Sequence, residues 1–541
     1  MIKFSPGNKR HRLAAVMASS VLMFAGWPAA GFAPLLLFAW IPLLALEDYY
    51  FENIRSVRHR QVFFYSYVCF FLWNLLSTWW IYFASPFGAG AAIFFNSLFM
   101  ATVFAMFHKT RCRLGSTAGY ISLVVYWTAF EYLHLNWDLS WPWLTLGNGF
   151  AAFPRIVQWY EFTGVLGGTT WILTCNVLAY RCLKWIFSVA PDRQKVMRLV
   201  SFTAIVILVP VLVSTMMYGF YKEKPNPVDI AVLQPNIDPY NEKFSSLSSE
   251  EQVGRMLQLA STVVDSSTDY VIGPETALPY SIWEDALPNH RDVRTIKNFL
   301  AAYPKLQLIA GVSTNKLYGT EPPTVTARQF TDSPEYYDSY NTVMQLDRAG
   351  VMQLYHKSQL VIGVEKIPYP KVFGYFEKFA IELGGASGSL GTQPEPSVFV
   401  SPDGLKIAPA ICYESIYGEY MSKYIRLGAS LIFIVTNDGW WYDTPGYRQH
   451  LQYARLRAIE TRRSIARSAN TGISAFIDQR GDITQKTSWW VPAAIRQTLN
   501  ANDRITFYTR WGDILGIIFS AVAVMLVPAT FLSRFTTKIR R

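Results

Sequence analysis

Charged residues are scarce in this chain. Only 16% of its 541 residues are Asp, Glu, Lys or Arg, whereas soluble domains usually carry roughly 25%. Hydrophobic residues make up 51% and aromatic residues 16%, so the chain is too apolar to be disordered. A net charge of +11 would suggest a nucleic-acid-binding protein, but the shortage of charge argues against that class. The composition favours a membrane protein with a sizeable part outside the membrane, and the length leaves room for two or more domains.

Cysteine is also scarce and unevenly distributed. Four of the five cysteines, Cys69, Cys112, Cys175 and Cys182, lie in or beside long apolar segments, and we interpret them as inert core residues. Cys412 is the only cysteine between residues 222 and 511, so it has no disulfide partner there. The sequence also lacks repeats, a glycine-rich nucleotide fingerprint and metal-ligand spacing. We therefore expect no cofactor, no metal and no nucleic-acid partner.

Eight apolar segments are candidates for membrane-spanning helices, which need about 20 mostly apolar residues. They cover approximately residues 13–27, 32–46, 62–83, 87–107, 117–134, 164–187, 199–220 and 513–533. The first two are short, which also fits a tight hairpin or a partly re-entrant pair. A cleaved signal peptide is the competing interpretation of the basic N-terminus. The second apolar segment follows without a polar mature segment, which favours membrane spans.

Basic residues divide unevenly between the two sides that eight spans create. Seventeen Lys and Arg residues lie in the termini and loops of one side, and only Arg155 lies in the short loops of the other. Because cytoplasmic loops are rich in Lys and Arg, we predict that both termini are cytoplasmic. Residues 222–511 then lie on the outer side. This segment is nearly neutral, with 29 Lys and Arg against 30 Asp and Glu, so the basic excess reports topology.

Residues 222–511 alternate short apolar runs with helical stretches, a pattern typical of an α/β domain. The predicted strands are 228–234, 270–273, 306–312, 341–346, 406–411, 430–436 and 473–478. Several are continuous apolar runs, as expected of strands that are buried on both faces. We therefore predict seven transmembrane helices in residues 1–221, an α/β domain in residues 222–511, and an eighth transmembrane helix with a cytoplasmic tail in residues 512–541.

Three residues that can carry chemistry follow strands of this domain. They are Glu275 in Gly-Pro-Glu-Thr, Lys357 in Tyr-His-Lys-Ser and Cys412 in Ile-Cys-Tyr-Glu-Ser. Sites of α/β sheets form at such strand ends. A cysteine nucleophile needs a proton acceptor and usually a nearby cation, and no histidine is an obvious acceptor here. Each charge taken singly is more often a solvated surface group, but the three together predict a catalytic Glu–Lys–Cys site.

These three motifs resemble those of the nitrilase superfamily, whose four-layer αββα sandwich carries a Glu–Lys–Cys triad. Joined to membrane spans, they resemble the apolipoprotein N-acyltransferase family, which completes bacterial lipoprotein maturation. The resemblance covers nearly the whole chain and includes further motifs: Gly31-Phe32-Ala33-Pro34, Trp141-Pro142-Trp143, Gln234-Pro235-Asn236, Tyr340-Asn341-Thr342, Asn437-Asp438-Gly439-Trp440-Trp441 and the segment from Arg457 to Gly472. The chain departs from the family in one loop. Many members carry Pro-Phe-Gly-Glu where this chain has Ile-Gly-Val-Glu, ending at Glu365.

The resemblance implies a two-step acyl transfer at the outer face of the bacterial inner membrane. Glu275 would take the proton of Cys412, and the thiolate would attack the ester carbonyl of a membrane phospholipid. Lys357 would stabilise the thiolate and the oxyanion. The thioester would then acylate the α-amine of a diacylglyceryl-cysteine. The expected partners are a phospholipid acyl donor, a diacylated apolipoprotein acceptor and the lipid bilayer.

Other residues are expected to support this site. Glu365 aligns with the family's second essential glutamate and is expected to orient Lys357 or the attacking group. Glu414 is expected to support the oxyanion site or the lysine. A structural ion pair is the alternative for each glutamate. The residues predicted to line the substrate pocket are Asn341, Tyr413, Trp440 and Trp441. Core packing explains the two tryptophans equally well.

The remaining predictions concern an aromatic segment and two alternative functions. Residues 367–381 are rich in Phe, Tyr and Ile with interspersed Lys; we predict a mobile arm at the lipid headgroups, with an ordinary packed helix and loop as the alternative. A membrane-tethered amidase or nitrile hydrolase would use the same triad with water as acceptor, but it would not need eight spans. An inactive lipid- or lipoprotein-binding scaffold would not need an intact triad.

Overall fold

The computed structural model describes residues 8–28, 31–53, 58, 60–188, 191–369 and 389–533. The chain forms two compact units. One comprises Met1–Trp79, Ala89–Phe220 and Trp511–Arg541, and the other comprises Trp80–Gly88 and Tyr221–Arg510. We refer to them as the helical unit and the sandwich unit.

The helical unit follows from its long apolar runs, because a helix satisfies every backbone polar group within its own segment. The helices up to residue 220 are α1 (Lys9–Ala25), α2 (Ile41–Glu52), α3 (Arg60–Thr78), α4 (Ile81–Ala84), α5 (Pro86–Leu114), α6 (Ser116–Asn136), α7 (Tyr160–Ile186) and α8 (Arg193–Phe220). Of these, α4 and the first residues of α5 belong to the sandwich unit. Short 3-10 helices occupy Ala33–Leu37, Pro142–Leu144, Leu146–Phe150 and Pro154–Ile156.

Each of the eight predicted spans falls on helical structure. Within the described residues, five helical stretches are long and apolar enough to cross a membrane: Ala33–Glu52, Pro86–Leu114, Tyr160–Ile186, Arg193–Phe220 and Ile514–Leu532. The remaining three predicted spans lie on α1, α3 and α6. Crossing by these three helices stays a prediction, and so does the total of eight.

Arg111 lies in a different setting from the one the sequence suggests. We predicted a cytoplasmic loop around it, but α5 continues to Leu114 and Arg111 is only 2% exposed. Its guanidinium pairs with Glu47 and Asp48, and Asp48 also accepts a 2.5 Å hydrogen bond from Lys184. Buried charge is costly unless it is paired. The two carboxylates on α2 therefore explain why the helix can extend past this arginine, and the cluster ties α2, α5 and α7 together.

The sandwich unit contains fourteen strands among its described residues. They are β1 (Pro227–Gln234), β2 (Tyr270–Ile272), β3 (Leu278–Trp283), β4 (Gln307–Leu317), β5 (Arg328–Gln329), β6 (Tyr336–Leu346), β7 (Met352–His356), β8 (Phe399–Val400), β9 (Lys406–Ile411), β10 (Leu431–Thr436), β11 (Ile465–Ala469), β12 (Ala475–Ile477), β13 (Ile483–Lys486) and β14 (Ala493–Asn500). The remaining helices are α9 (Ser249–Ser261), α10 (Arg291–Leu300), α11 (Gly418–Arg426), α12 (Pro445–Thr461), α13 (Phe507–Trp511) and α14 (Ile514–Leu532), the last of which belongs to the helical unit.

The strands form two sheets. The first has the order β14-β1-β2-β4-β6-β5, with β3 also on β4 and β7 also on β6, and the second has the order β13-β12-β11-β10-β9-β8. Strands β1, β2 and β4 are parallel, as are β9, β10 and β11. This arrangement buries continuous apolar runs such as β10 on both faces.

Two sheets packed face to face between helices give the αββα sandwich expected from the nitrilase resemblance. The sheets meet where the Ser468 hydroxyl donates to the Leu233 carbonyl at 2.7 Å and where Tyr270 packs edge-on against Phe433. A core that includes Met256 and other apolar residues joins α9 and α10 to the first sheet. On the other side α11 lies against β9, and α12 lies against α11.

Candidate active site

Glu275 lies just beyond β2 and is only 6% exposed. Its Oε1 accepts hydrogen bonds from Asn341 Nδ2 at 2.7 Å and from Lys357 Nζ at 3.3 Å. Its Oε2 accepts from the backbone N–H of Asn437 at 3.0 Å. Both carboxylate oxygens are therefore held by donors from three separate segments of the chain. The Asn437 contact was not predicted, although Asn437 directly follows the predicted strand 430–436.

Lys357 directly follows β7, where its N–H donates to the carbonyl of Asn341 at 2.8 Å. The side chain is 1% exposed, and Nζ donates to Glu365 Oε1 at 2.8 Å as well as to Glu275. Burial by itself would lower the pKa of Lys357, but the carboxylates of Glu365 and Glu275 raise it above its usual value. Lys357 is therefore a fixed ammonium.

Glu365 is held as firmly as the lysine that it contacts. Its Oε1 also accepts from Asn341 Nδ2 at 3.1 Å, and its Oε2 accepts from the N–H of Val361 at 2.8 Å. The Asn341 amide thus bridges the two carboxylates that flank Lys357. We predicted Asn341 as a pocket-lining residue; the structure places it in the polar cluster itself.

Cys412 directly follows β9, whose predicted bounds are confirmed, and begins a 3-10 turn. Its φ of +48° lies in the left-handed region, which is unusual and strained for a residue with a Cβ. Part of the residue is exposed. Burial and the neighbouring Glu275 raise the pKa of the Cys412 thiol, while Lys357 opposes the shift. The thiol thus stays protonated at neutral pH, and a base has to remove its proton when it reacts.

Glu414, two residues after Cys412, is fully buried. Its Oε1 accepts from the Tyr355 hydroxyl at 2.6 Å and from the Ser358 N–H at 2.7 Å, and its Oε2 accepts from the Ile411 N–H at 2.8 Å. Burial raises the pKa of Glu414 to about 7 despite these donors. The carboxylate therefore links the backbone just before Cys412 to the backbone just after Lys357.

A buried polar network that the sequence did not predict supports Cys412 from another side. His450 Nε2 lies 3.2 Å from the Cys412 carbonyl oxygen, and His450 Nδ1 lies 3.0 Å from Asp438 Oδ1. Arg467 donates to Asp438 Oδ2 at 2.5 Å. Burial alone would raise the pKa of Asp438, but Arg467 and His450 hold it well below its usual range. The signal for Asp438 was the Asn-Asp-Gly-Trp-Trp motif after β10.

The predicted pocket residues Tyr413, Trp440 and Trp441 are placed in aromatic packing. Tyr413 is 4% exposed and packs edge-on against Tyr417. Trp440 and Trp441 are half-buried. Trp440 packs against the rings of Tyr240 and Phe244, and Trp441 packs against those of Trp80 and His450. Their role in a pocket stays a prediction. Most of the predicted arm, residues 370–381, lies outside the described residues.

Comparison with known proteins agrees with this architecture. Residues 229–503 match the family model for carbon-nitrogen hydrolases, so the sandwich unit is of the carbon-nitrogen hydrolase class. Residues 19–178 match the apolipoprotein N-acyltransferase N-terminal domain. The chain is 31% identical to the apolipoprotein N-acyltransferase of Chlorobaculum tepidum, over 93% of both chains. It is 26% identical to the Geobacter metallireducens protein of the same name, over 76% of this chain and 74% of that one. The chain belongs to the apolipoprotein N-acyltransferase family.

Solved structures of the nitrilase superfamily are also similar. An amidase from Nesterenkonia sp. is 15% identical, with coverage of 52% of this chain and 94% of that chain and a TM-score of 0.35. A member of branch 10 of the superfamily from Saccharomyces cerevisiae is 17% identical, with coverage of 52% and 92% and a TM-score of 0.36.

Proposed function

We propose that this chain transfers an acyl chain from a membrane phospholipid, through a thioester on Cys412, to the α-amine of the N-terminal diacylglyceryl-cysteine of apolipoproteins. The observation that carries the proposal is the grouping of the partly exposed Cys412 with the buried Glu275 and Lys357, in a chain that belongs to the apolipoprotein N-acyltransferase family. A proton acceptor, a fixed cation and a thiol are the groups that acyl transfer through a cysteine requires.

The first half-reaction loads the cysteine. Glu275 accepts the thiol proton of Cys412, and the thiolate attacks the ester carbonyl carbon of the phospholipid. Negative charge moves to the carbonyl oxygen, where the Lys357 ammonium stabilises it. The tetrahedral intermediate collapses, and the lysophospholipid oxygen leaves with the proton that Glu275 holds. The products are a thioester on Cys412 and a lysophospholipid whose released oxygen is a free hydroxyl.

The second half-reaction transfers the acyl chain from Cys412 to the acceptor amine. The free α-amine of the apolipoprotein attacks the thioester carbonyl, and Lys357 again faces the developing oxyanion. Glu275 accepts a proton from the attacking nitrogen, the Cys412 thiolate leaves, and the proton returns to sulfur. The product carries a new amide, and the enzyme is regenerated. Because Glu275 both accepts and releases a proton in each half-reaction, the firm placement of its carboxylate matters twice.

Three neighbours have defined roles in this scheme. Asn341 and Glu365 hold Lys357 and Glu275 through shared hydrogen bonds, which keeps the cation beside the base. Glu414 keeps the turn that presents Cys412 in register with Lys357. A displacement of about 1 Å in such a site can cost on the order of 100-fold in rate, so these contacts are expected to matter although none of the three forms a bond to substrate.

We further propose that residues 222–511 face the outside of the inner membrane, with both chain termini in the cytoplasm. The distribution of Lys and Arg supports this orientation. Both substrates carry long acyl chains, and each CH₂ drawn from lipid into water costs about 0.8 kcal/mol, so the site should open at the bilayer surface. Labelling of single introduced cysteines in intact cells tests the orientation: a membrane-impermeant reagent should reach a cysteine introduced at exposed Lys486 and not one introduced at Lys195.

Intact-mass measurement tests the chemistry. Purified protein mixed with phospholipid alone should gain the mass of one acyl chain, which is lost on treatment with hydroxylamine. Addition of a diacylated lipopeptide should move that acyl chain to the peptide amine. Cys412→Ser should show neither event, whereas the control Cys182→Ser, which changes a cysteine of the helical unit, should show both. Free fatty acid without peptide acylation would indicate a hydrolase, and binding of the lipopeptide without any transfer would indicate a scaffold.

A further inference from the structure

Lys243 is a buried lysine that the proposed reaction does not use. It lies in the connection between β1 and α9 and is 1% exposed. Its Nζ donates to the backbone carbonyl of Glu275 at 3.0 Å. The connection is anchored on both sides of the side chain, since the Lys243 N–H donates to the Asp238 carbonyl at 2.9 Å and Gln252 Nε2 donates to the Lys243 carbonyl at 2.7 Å. The ammonium is therefore held behind the proposed base.

Without Lys243, the proposed base and the carboxylate beside it outnumber the one ammonium that contacts them. Glu275 and Glu365 bring two carboxylates to the site, and Lys357 is the ammonium that contacts both. Uncompensated charge is costly in a buried site. A second ammonium next to Glu275 supplies the missing positive charge. Its hydrogen bond is made to the backbone carbonyl of Glu275, whose carboxylate oxygens are held by Asn341, Lys357 and Asn437.

The backbone at Glu275 also needs external support. Thr276 has a φ of +48°, in the left-handed region. On one side Gly311 packs so closely that a Cβ there would lie 2.7 Å from Glu275 Cα. On the other side Lys243 holds the Glu275 carbonyl. Together these two contacts fix the position of the Glu275 main chain, and with it the position of the side chain.

We propose that Lys243 is a positioning residue for the catalytic base: its ammonium holds the Glu275 main chain and supplies the positive charge that favours the ionised carboxylate in the free enzyme. This inference rests on the proposed function, since it assigns a role to Lys243 only if Glu275 is the base of an acyl transfer.

The charge of Lys243 depends on pH in the physiological range. Burial lowers the pKa of Lys243 to about 7, against the opposing effect of Glu275. The ammonium is therefore present below about pH 7 and is lost as the pH rises through that value. Glu275 is the charged group that acts on Lys243, and the charged groups around the reacting atoms include Lys357, Glu365, Glu414 and Asp438. The contribution of the Lys243 charge should therefore be largest at low pH and should disappear at high pH.

The test compares the pH dependence of thioester formation in two variants of the full-length protein. Lys243→Met removes the charge and keeps the length of the side chain, while Lys486→Met removes a positive charge at an exposed position of β13. Acyl loading of Cys412 from phosphatidylethanolamine vesicles is followed by intact mass between pH 5.5 and 9. The wild-type-to-K243M rate ratio should be at least tenfold larger at pH 6, where wild-type Lys243 is charged, than at pH 8.5, where it has lost its charge. The ratio for K486M should stay near one.

The outcomes separate the inference from the proposed function. A K243M ratio that does not change with pH would overturn the inference, since a merely structural lysine lowers the rate equally at every pH. If K243M does not fold, Lys243→Gln, which retains a donor without the charge, gives the same comparison. Wild-type protein that forms no thioester at any pH would instead refute the proposed function.

Discussion

Replacing Glu414 with glutamine keeps the shape of the side chain and removes its negative charge. In the structure the two carboxylate oxygens accept hydrogen bonds on both sides, from Tyr355 and Ser358 at Oε1 and from Ile411 at Oε2. A glutamine has only one acceptor oxygen. If that oxygen stays with Tyr355 and Ser358, the amide NH₂ faces the N–H of Ile411, so a donor meets a donor directly before Cys412.

The magnitude follows from the bond that is lost. A hydrogen bond to a charged group contributes about 1.5–3 kcal/mol, and a buried donor left without an acceptor costs about 1–3 kcal/mol. We take about 2–3 kcal/mol as the cost of holding the turn at Cys412 in its reactive geometry. At about 1.4 kcal/mol for each factor of ten, Glu414→Gln should slow acyl loading of Cys412 about 30- to 150-fold at pH 8. The pKa of Glu414 is about 7, so wild-type protein carries more of the neutral acid as the pH falls. The difference should therefore shrink between pH 8 and pH 6.

The assay is the rate of thioester formation from phospholipid, measured with the melting temperature of each protein. Glu395→Gln is the matched control, because Glu395 is exposed and its pair with Lys423 lies at the surface, where ion pairs contribute little. E414Q that loads within threefold of wild type at pH 8, at an unchanged melting temperature, would show that the carboxylate does not hold the turn. A deficit that grows toward low pH would contradict the assigned ionisation.

Two further substitutions test the support of the site. Gly311→Ala places a Cβ 2.3 Å from the Thr276 nitrogen, which should displace Glu275 and lower thioester formation at least 100-fold. The control Gly254→Ala, with open space around it in α9, should retain full activity and gain up to about 1 kcal/mol of stability. Equal activity of the two variants would refute the steric argument. Arg467→Met leaves the buried Asp438 carboxylate without its arginine, so chemical denaturation should show a loss of about 3–5 kcal/mol, and a loss below 1 kcal/mol would mean that this ion pair does not stabilise the fold.

Much of the architecture could be predicted because local patterns reveal it. Continuous apolar runs marked the strands that are buried on both faces, and all seven predicted strands overlap observed ones. Seven observed strands were missed: β3, β5, β7, β8, β11, β13 and β14. In β7 the apolar and polar residues mix, and β11 contains the buried Arg467, so neither shows a clear apolar period. Tertiary pairing, rather than local pattern, makes these segments strands.

The polar contacts that support the site could not be predicted from the sequence. Glu414 contacts backbone groups more than fifty residues earlier in the chain, and His450 reaches the Cys412 carbonyl from α12. Lys243 contacts the Glu275 carbonyl from a connection that has no strand or helix. In a sequence a buried charge is indistinguishable from a solvated one, because its burial depends on elements that are distant along the chain.

The sequence by itself determined the kind of protein: scarce charge and long apolar runs made it a membrane protein, and three strand-end motifs indicated the residues of its chemistry. It could do so because site residues of α/β sheets commonly follow the ends of strands, although Glu275 and Lys357 follow strands of the first sheet and Cys412 follows a strand of the second. Only the tertiary structure decided which residues hold Cys412, Glu275 and Lys357 in place. That depends on hydrogen bonds between segments far apart in the chain, which the packing of the two sheets brings together.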